Sequence, residues 1–137
     1  RASSRVLCPG GTFAFVVNLH DSLRPLYLAF RRTMQRFPQE LRALAFPRFP
    51  SSWNQIEAQA RSCGFTTKWH DEGYHPMTKP SELTALSWVL NTGALAGFDS
   101  MLPLDTNPVV ADYFERCLME QNQPLQHHYI MGVFQRC

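Results

Sequence analysis

The segment that decides the fold is Cys8-Pro9-Gly10-Gly11-Thr12-Phe13-Ala14-Phe15-Val16-Val17, in which a turn signal is followed at once by an almost unbroken apolar run. Pro-Gly-Gly favours a tight turn, because proline presets its own φ and glycine tolerates backbone conformations that other residues avoid. The apolar run is rich in β-formers and does not alternate between polar and apolar residues. Strands of that kind lie in parallel sheets covered by helices, so residues 12–17 are predicted to form a strand buried on both faces.

The residues after this strand predict an amphipathic helix with one basic face. Asp21 or Ser22 is expected to cap it, and Pro25 lies in its first turn, where a missing N–H is harmless. Its apolar residues recur at spacings of three and four: Leu23, Leu26, Tyr27, Phe30, Met34 and Phe37. The other side carries four arginines: Arg24, Arg31, Arg32 and Arg36.

A second helix is predicted to begin at Ser51 or Ser52, where Gln55 completes a capping box, and to end at Cys63-Gly64. The remaining elements are, in chain order, a strand over 65–72, a helix over 80–91, a helix that starts at Asn107-Pro108 and a strand over 128–135. This order indicates an α/β fold. Only the strand over 65–72 offers the first strand a parallel partner through the usual crossover, so further strands are expected from outside these 137 residues.

Charge and cysteine content narrow the class of protein. Residues 1–70 hold ten Lys and Arg against three acids, whereas residues 71–137 hold three against eight, so the net charge of +2 hides a basic half and an acidic half. The four cysteines are far apart without a C-x-x-C pair, which favours a reducing compartment. No apolar run approaches the ~20 residues that cross a bilayer. We therefore expect an intracellular protein that binds no membrane, in the cytoplasm or an organellar matrix.

Several stretches resemble the class I S-adenosylmethionine-dependent methyltransferases. Residues 5–15, RVLCPGGTFAF, resemble the turn and fifth strand of that family, with Cys8 where a basic residue is usual. Residues 56–65, IEAQARSCGF, are similar to the helix and G-F pair that precede the sixth strand, and residues 129–134, YIMGVF, resemble the seventh strand. These similarities occur in the order of the family.

A narrower resemblance is to the malonyl-acyl-carrier-protein O-methyltransferases. Residues 22–26, SLRPL, resemble an S-L-x-x-L helix start in those enzymes, and residues 91–94, NTGA, resemble an I-G-A signature in which Thr92 replaces isoleucine. Residues 124–132, PLQHHYIMG, are similar to a closing P-L-x-Y-x-x-x-G strand with the tyrosine displaced.

The resemblance implies that residues 1–137 are the C-terminal half of a Rossmann-like methyltransferase sheet, strands five to seven, with a helical insertion over 76–126 before the last strand. In that family S-adenosylmethionine is bound by a glycine-rich loop and an acidic residue of the N-terminal half, and no G-x-G pattern occurs here. The implied cofactor is therefore held mainly by the absent half, with no cofactor-binding residue in this chain. The complete enzyme would O-methylate a carboxylate of an acyl or small-molecule substrate, and this chain alone is expected to be inactive.

The candidate substrate site consists of Asn18, His20 and Asp21, which follow the first strand, together with Tyr74. Ligands meet open α/β sheets beyond the carboxyl ends of the strands. A carboxylate acceptor is already ionised at neutral pH and needs alignment more than a base. For an acceptor of higher pKa, His20 is the first candidate for a catalytic base. The structural alternative is that Asp21 is only a helix cap and His20 a solvated loop residue.

The arginines Arg24, Arg31, Arg32 and Arg36 form the candidate partner site, because guanidinium groups pair well with carboxylate and phosphate. Their expected partner is an acidic carrier protein or RNA, and the alternative is an ordinary solvated helix face. They also support a second function, a non-catalytic methyltransferase-like assembly or scaffold subunit. No metal site is predicted, because His70, Asp71, Glu72 and His75 lack an established ligand spacing. Five aromatic residues are assigned to an acyl pocket or to the core: Trp69, Tyr74, Trp88, Tyr113 and Phe114.

Overall fold

The computed structural model describes residues 6–43, 48–91 and 100–137. These residues form the mixed α/β fold that the sequence predicts. The elements are β1 (Thr12–Asn18), α1 (Arg24–Arg36), α2 (Trp53–Ser62), β2 (Phe65–Pro76), α3 (Ala85–Asn91), α4 (Pro108–Glu120) and β3 (Gln126–Arg136), with a short 3-10 helix at Pro38–Glu40. Residues 1–5 and 92–94, which carry parts of the quoted resemblances, lie outside the described residues.

The chain divides into two compact units. The sheet unit contains Arg1–Ser22, Arg48–His75 and Gln126–Cys137, and the helical unit contains Leu23–Pro47 and Pro76–Leu125. The helical unit therefore includes most of the predicted 76–126 insertion together with α1. Within the described residues, no helix has the length and apolar character needed to cross a membrane.

The sheet unit contains a three-stranded sheet in the order β1-β3-β2. β3 pairs antiparallel with β1, from Thr12 opposite Gln135 to Asn18 opposite Tyr129. It is also antiparallel to β2, because the backbone N–H of Cys137 donates to the carbonyl of Gly64 while the side chain of Glu72 reaches His128. β1 and β2 consequently run in the same direction. They are not neighbours, so the direct parallel pairing expected from the sequence is wrong.

The prediction that β1 is buried on both faces is also wrong for the described residues. Val16 is 67% exposed and Phe13 is 37% exposed. Among the described residues no helix covers the face of β1 on which Val16 lies, and Phe13, on the opposite face, lies near the start of this edge strand. Phe15 faces α2 and stacks on Trp53, whereas Val16, its neighbour, points to the open side.

Local signals place the ends of α2 and the start of α4 where the sequence predicts them. Ser52 caps α2 by accepting a hydrogen bond from the backbone N–H of Gln55, and Gly64 follows the helix with φ of +81°. Asn107 caps α4 by accepting hydrogen bonds from the backbone N–H groups of its first turn. By contrast, α3 begins at Ala85, since residues 80–83 form a turn. Both later strands extend a few residues beyond their predicted bounds.

The start of α1 differs from the prediction. Its N-cap is Leu23, with φ of +55° and no side-chain hydrogen bond to the helix. Asp21 and Ser22 are not caps, because their side chains are engaged by His127 and His128 within the sheet unit.

The helical unit has a well-formed apolar core around Phe30 and Phe114, whose rings meet edge to face with centroids 6.3 Å apart. Both are fully buried, and Trp88 is 7% exposed. Tyr113 packs against the same core from its edge. Trp88, Tyr113 and Phe114 therefore belong to the core, which is one of the two alternatives, acyl pocket or core, that the sequence leaves open.

Candidate functional site

The candidate site lies in the sheet unit, where β1 and β2 end and β3 begins. Its centre is His128, which is only 7% exposed. Asp21 comes from the loop after β1, and Glu72 and Tyr74 come from the last part of β2. Because β1 and β2 run in the same direction, their carboxyl ends lie at the same end of the sheet, on either side of β3. In open sheets of parallel strands, ligands bind beyond the carboxyl ends of the strands.

Both ring nitrogens of His128 contact carboxylates. Nδ1 lies 2.6 Å from Oδ1 of Asp21, and Nε2 lies 2.8 Å from Oε1 of Glu72. An ionised carboxylate has only acceptor atoms, so each ring nitrogen must donate a proton to its partner. The imidazolium form of His128, which donates from both nitrogens, is therefore the form that satisfies both contacts when the two carboxylates are ionised.

Two opposing effects act on the pKa of His128. Burial lowers this pKa, because it penalises the charged ring. The hydrogen bonds that the ring donates to Asp21 and Glu72, together with the negative charges of these two side chains, raise this pKa and outweigh burial. The net result is a pKa raised above the ordinary histidine value of 6.5.

Uncharged groups complete the environment of His128. The ring of Tyr74 lies nearly parallel to the imidazole, with centroids 4.2 Å apart and an interplanar angle of 17°. An aromatic face placed in this way stabilises a cation. The hydroxyl of Ser22, which is 2% exposed, accepts a hydrogen bond from the backbone N–H of His128 at 3.3 Å and lies 3.4 Å from Nδ1 of His127.

The structure brings two of the four predicted substrate residues together. Asp21 and Tyr74 both contact His128, although the two are far apart in the sequence. The side chain of Asp21 is 35% exposed, and Tyr74 is 57% exposed, so both also face solvent at this edge. The remaining two, Asn18 and His20, lie close by in the chain but do not join this cluster.

Asn18 is the last residue of β1 and lies opposite Tyr129 of β3. His20 is exposed on the following loop, and its backbone N–H donates to the carbonyl of Pro50 at 3.0 Å. The exposed position of His20 agrees with the solvated-loop reading and leaves its imidazole accessible to a ligand.

Sequence reasoning missed His128 as the centre of the site. One signal was available: His128 is in the same alternating phase as Ile130 and Phe134, which places it on the covered face of the strand. A histidine on a covered face needs polar partners. Nothing in the sequence, however, says that those partners are Asp21 and Glu72.

The residues considered for a metal site have other contacts. His70 stacks on Trp53 of α2, with centroids 4.1 Å apart and planes 5° apart. Glu72 pairs with His128. Across residues 6–43, 48–91 and 100–137, no three His, Cys, Asp or Glu side chains are arranged to hold a metal ion.

The predicted partner arginines lie on α1 in the helical unit, and all four are exposed: Arg24, Arg31, Arg32 and Arg36. Arg32 pairs with Glu120 at 3.1 Å, and the Arg36 guanidinium lies 5.6 Å from the ring centre of Phe37. Arg31 and Gln35 border an otherwise apolar cleft of about 500 Å³, whose other lining residues are Tyr27, Met34, Pro38 and Leu41.

A scan against models of known protein families and a search of curated proteins gave no match to this chain. The methyltransferase assignment therefore depends on the resemblances quoted from the sequence, and it stays a prediction.

Proposed function

We propose that this chain is the substrate-side part of a class I S-adenosylmethionine-dependent methyltransferase that O-methylates a carboxylate of an acyl or small-molecule substrate. The observation that most supports the proposal is the convergence of Asp21, Glu72, Tyr74 and His128 at the carboxyl ends of β1 and β2. That edge is where an α/β sheet binds its ligands.

The resemblance assigns S-adenosylmethionine mainly to the N-terminal half of the family's sheet, and the proposal keeps that assignment. The connection from β1 to α1 contains no glycine, and Leu19, Ser22 and Leu23 within it are buried. A phosphate- or nucleotide-binding loop needs backbone that a ligand can approach closely. We therefore assign no cofactor contact to this chain and restrict its role to the methyl acceptor.

Positioning is the chemistry that we assign to the cluster. His128, with both nitrogens donating, has no lone pair and does not act as a base in this state. It instead fixes the carboxylates of Asp21 and Glu72, whose second oxygens are able to accept hydrogen bonds from an N–H or O–H group of the substrate. The substrate carboxylate that receives the methyl group has no donor and is repelled by these two side chains, so we place it away from them. A carboxylate acceptor needs no base, whereas an acceptor hydroxyl would use exposed His20.

Titration calorimetry with S-adenosylmethionine tests the proposal. It is applied to this 137-residue chain and, where the gene encodes residues upstream of Arg1, to the longer protein that includes them. We expect binding by the longer protein and no tight binding by the chain. Absence of binding by the longer protein overturns the proposal.

A second measurement addresses the site. In the longer protein, transfer of a labelled methyl group to malonyl and other acyl acceptors is compared for Glu72→Gln and Asp71→Asn. These neighbours point to opposite faces of β2, so the second variant is a matched control for loss of one charge. We expect a higher KM for Glu72→Gln only, and equal effects of the two variants would exclude this edge as the acceptor site.

The second candidate function is a non-catalytic methyltransferase-like scaffold subunit that binds an acidic protein or RNA. The exposure of all four α1 arginines favours it. A pull-down compares the natural chain with a variant in which Arg24, Arg31, Arg32 and Arg36 are changed to Glu, and with Arg48→Glu/Lys68→Glu as a control in the sheet unit. Partner recovery that the four-fold change leaves intact counts against the scaffold.

A further inference from the structure

We propose that Asp21, His128 and Glu72 form a latch that ties the loop after β1 and the end of β2 to the start of β3, and that opens when His128 loses one of its two ring protons. These three residues lie at the end of the sheet where β1 and β2 end and β3 begins. Their role as a latch does not depend on the methyltransferase activity.

The latch joins three segments that are remote in sequence. Asp21 and Glu72 lie 107 and 56 positions from His128. Beyond the paired part of β1, the loop is held on β3 by Leu19, whose N–H donates to the carbonyl of His128 at 2.8 Å, and by the Ser22 hydroxyl. The ion pair from Asp21 is the charged contact between this loop and β3.

The titratable groups around His128 come from several elements, but two of them act on its charge. Asp21 reaches it from the loop after β1, and Glu72 reaches it from β2. Tyr74 of β2 covers one face of the ring, and His127 of β3 reaches the Ser22 hydroxyl and not the ring. In helix α2, which packs on the same sheet face, Glu57 is engaged by Thr67 and Arg61.

Loss of one proton breaks the symmetry of the latch. A neutral imidazole has one donor and one lone pair, so one carboxylate would face a lone pair without a hydrogen bond. The Glu72 contact is longer, 2.8 Å against 2.6 Å for Asp21, and its carboxylate is more exposed, 47% against 35%. Glu72 therefore releases first and frees the end of β2, while Asp21 keeps the remaining donor.

The direction of the pH dependence follows from the raised pKa of His128. A group whose pKa is higher in the folded state stabilises the fold fully below its unfolded value, here 6.5, and loses this contribution as pH rises through the folded value. The latch is thus closed in mildly acidic solution and opens toward alkaline pH.

Nuclear magnetic resonance of the labelled 137-residue chain tests the latch directly. Side-chain ¹H–¹⁵N spectra from pH 5 to 9 report the protonation of both His128 nitrogens, and amide hydrogen exchange, corrected for intrinsic rates, reports the opening of residues 19–22 and 72–75. We expect both nitrogens to be protonated at pH 6.5 and protection at 72–75 to fall by about tenfold above the titration, the size of one charge-assisted hydrogen bond.

Variants distinguish loss of the latch from a general loss of folding stability. Glu72→Gln is expected to lower the pKa of His128 and to remove the pH dependence at 72–75, whereas Asp71→Asn on the opposite face of β2 leaves both unchanged. His128→Gln removes the latch, with His127→Gln as its control. If His128→Gln does not fold, the titration of the unsubstituted chain and the Glu72→Gln result still decide. Titration of His128 at or below 6.5, or protection that does not change with pH, overturns the proposal.

Discussion

Replacement of Gly132 by alanine is expected to destabilise the sheet unit through a steric contact. Gly132 lies in β3, opposite Phe15 of β1. A Cβ atom at this position would lie 2.7 and 2.8 Å from two ring carbons of Phe15 and 3.1 Å from a ring carbon of Trp53. Separations below 3.0 Å are essentially absent from real proteins, so the Phe15 ring must move.

The magnitude follows from what restrains that ring. Phe15 stacks on Phe134 with centroids 5.3 Å apart and on Trp53 with centroids 6.4 Å apart, so a shift of its ring disturbs both contacts. Overpacking of this kind costs typically about 1–3 kcal/mol. Because Phe15 is not fully buried, we expect part of the strain to relax and the loss to be about 2 kcal/mol.

Urea unfolding followed by tryptophan fluorescence measures the loss. Phe15→Leu provides the decisive comparison, because its smaller side chain leaves room for the new methyl group. The double variant should lose about 1 kcal/mol less than the sum of the single variants. Gly10→Ala is the control for additivity: a Cβ there meets no atom within 4 Å, but the φ of +78° strains the backbone, so its loss should be the same with and without Phe15→Leu. Strict additivity of Gly132→Ala and Phe15→Leu would refute the steric explanation.

Three further changes test other contacts. Asn107→Ala removes the cap of α4 and should cost about 1 kcal/mol in thermal unfolding, and an unchanged stability would show that the cap is unimportant. Phe114→Ala should cost about 3–5 kcal/mol, because the ring is fully buried against Phe30; a loss below 1 kcal/mol contradicts the core assignment. Thr67→Val removes the 2.7 Å hydrogen bond that lowers the pKa of Glu57, so this pKa should rise in a carboxyl titration by NMR. The stabilisation that Glu57 provides above its unfolded pKa, and loses as pH falls through the lower folded value, should shrink accordingly.

Helix ends are the part of this fold that short sequence patterns predict well. Ser52 with Gln55, Gly64 and Asn107 each act on backbone groups within four residues of themselves, so their effect does not depend on the rest of the chain. The same reasoning failed at Asp21 and Ser22. Both are good capping residues, but their side chains contact His127 and His128 and do not cap α1.

The strand after Pro9-Gly10-Gly11 was likewise predicted in part: its position follows from the sequence, but its pairing partner does not. Its existence follows from the β-forming run over residues 12–17, because strand propensity and the preceding turn are local properties. Its neighbour does not follow: β3, more than a hundred residues later, takes the place beside β1 that the pattern assigned to the strand over 65–72. Pairing depends on the path of the whole chain, which a local pattern does not contain.

The turn before β1, the caps of α2 and α4 and the basic face of α1 were predictable from the sequence, because each depends on neighbours a few positions away. The centre of the candidate site, His128, was not predictable from the sequence. Asp21 was identified from its place after the first strand and Tyr74 as an aromatic candidate for an acyl pocket, yet the imidazole that joins Asp21 to Glu72 required β1, β2 and β3 to be assembled first. The charge state of His128 depends on two carboxylates brought within 3 Å by the sheet, and that proximity exists only in the folded chain.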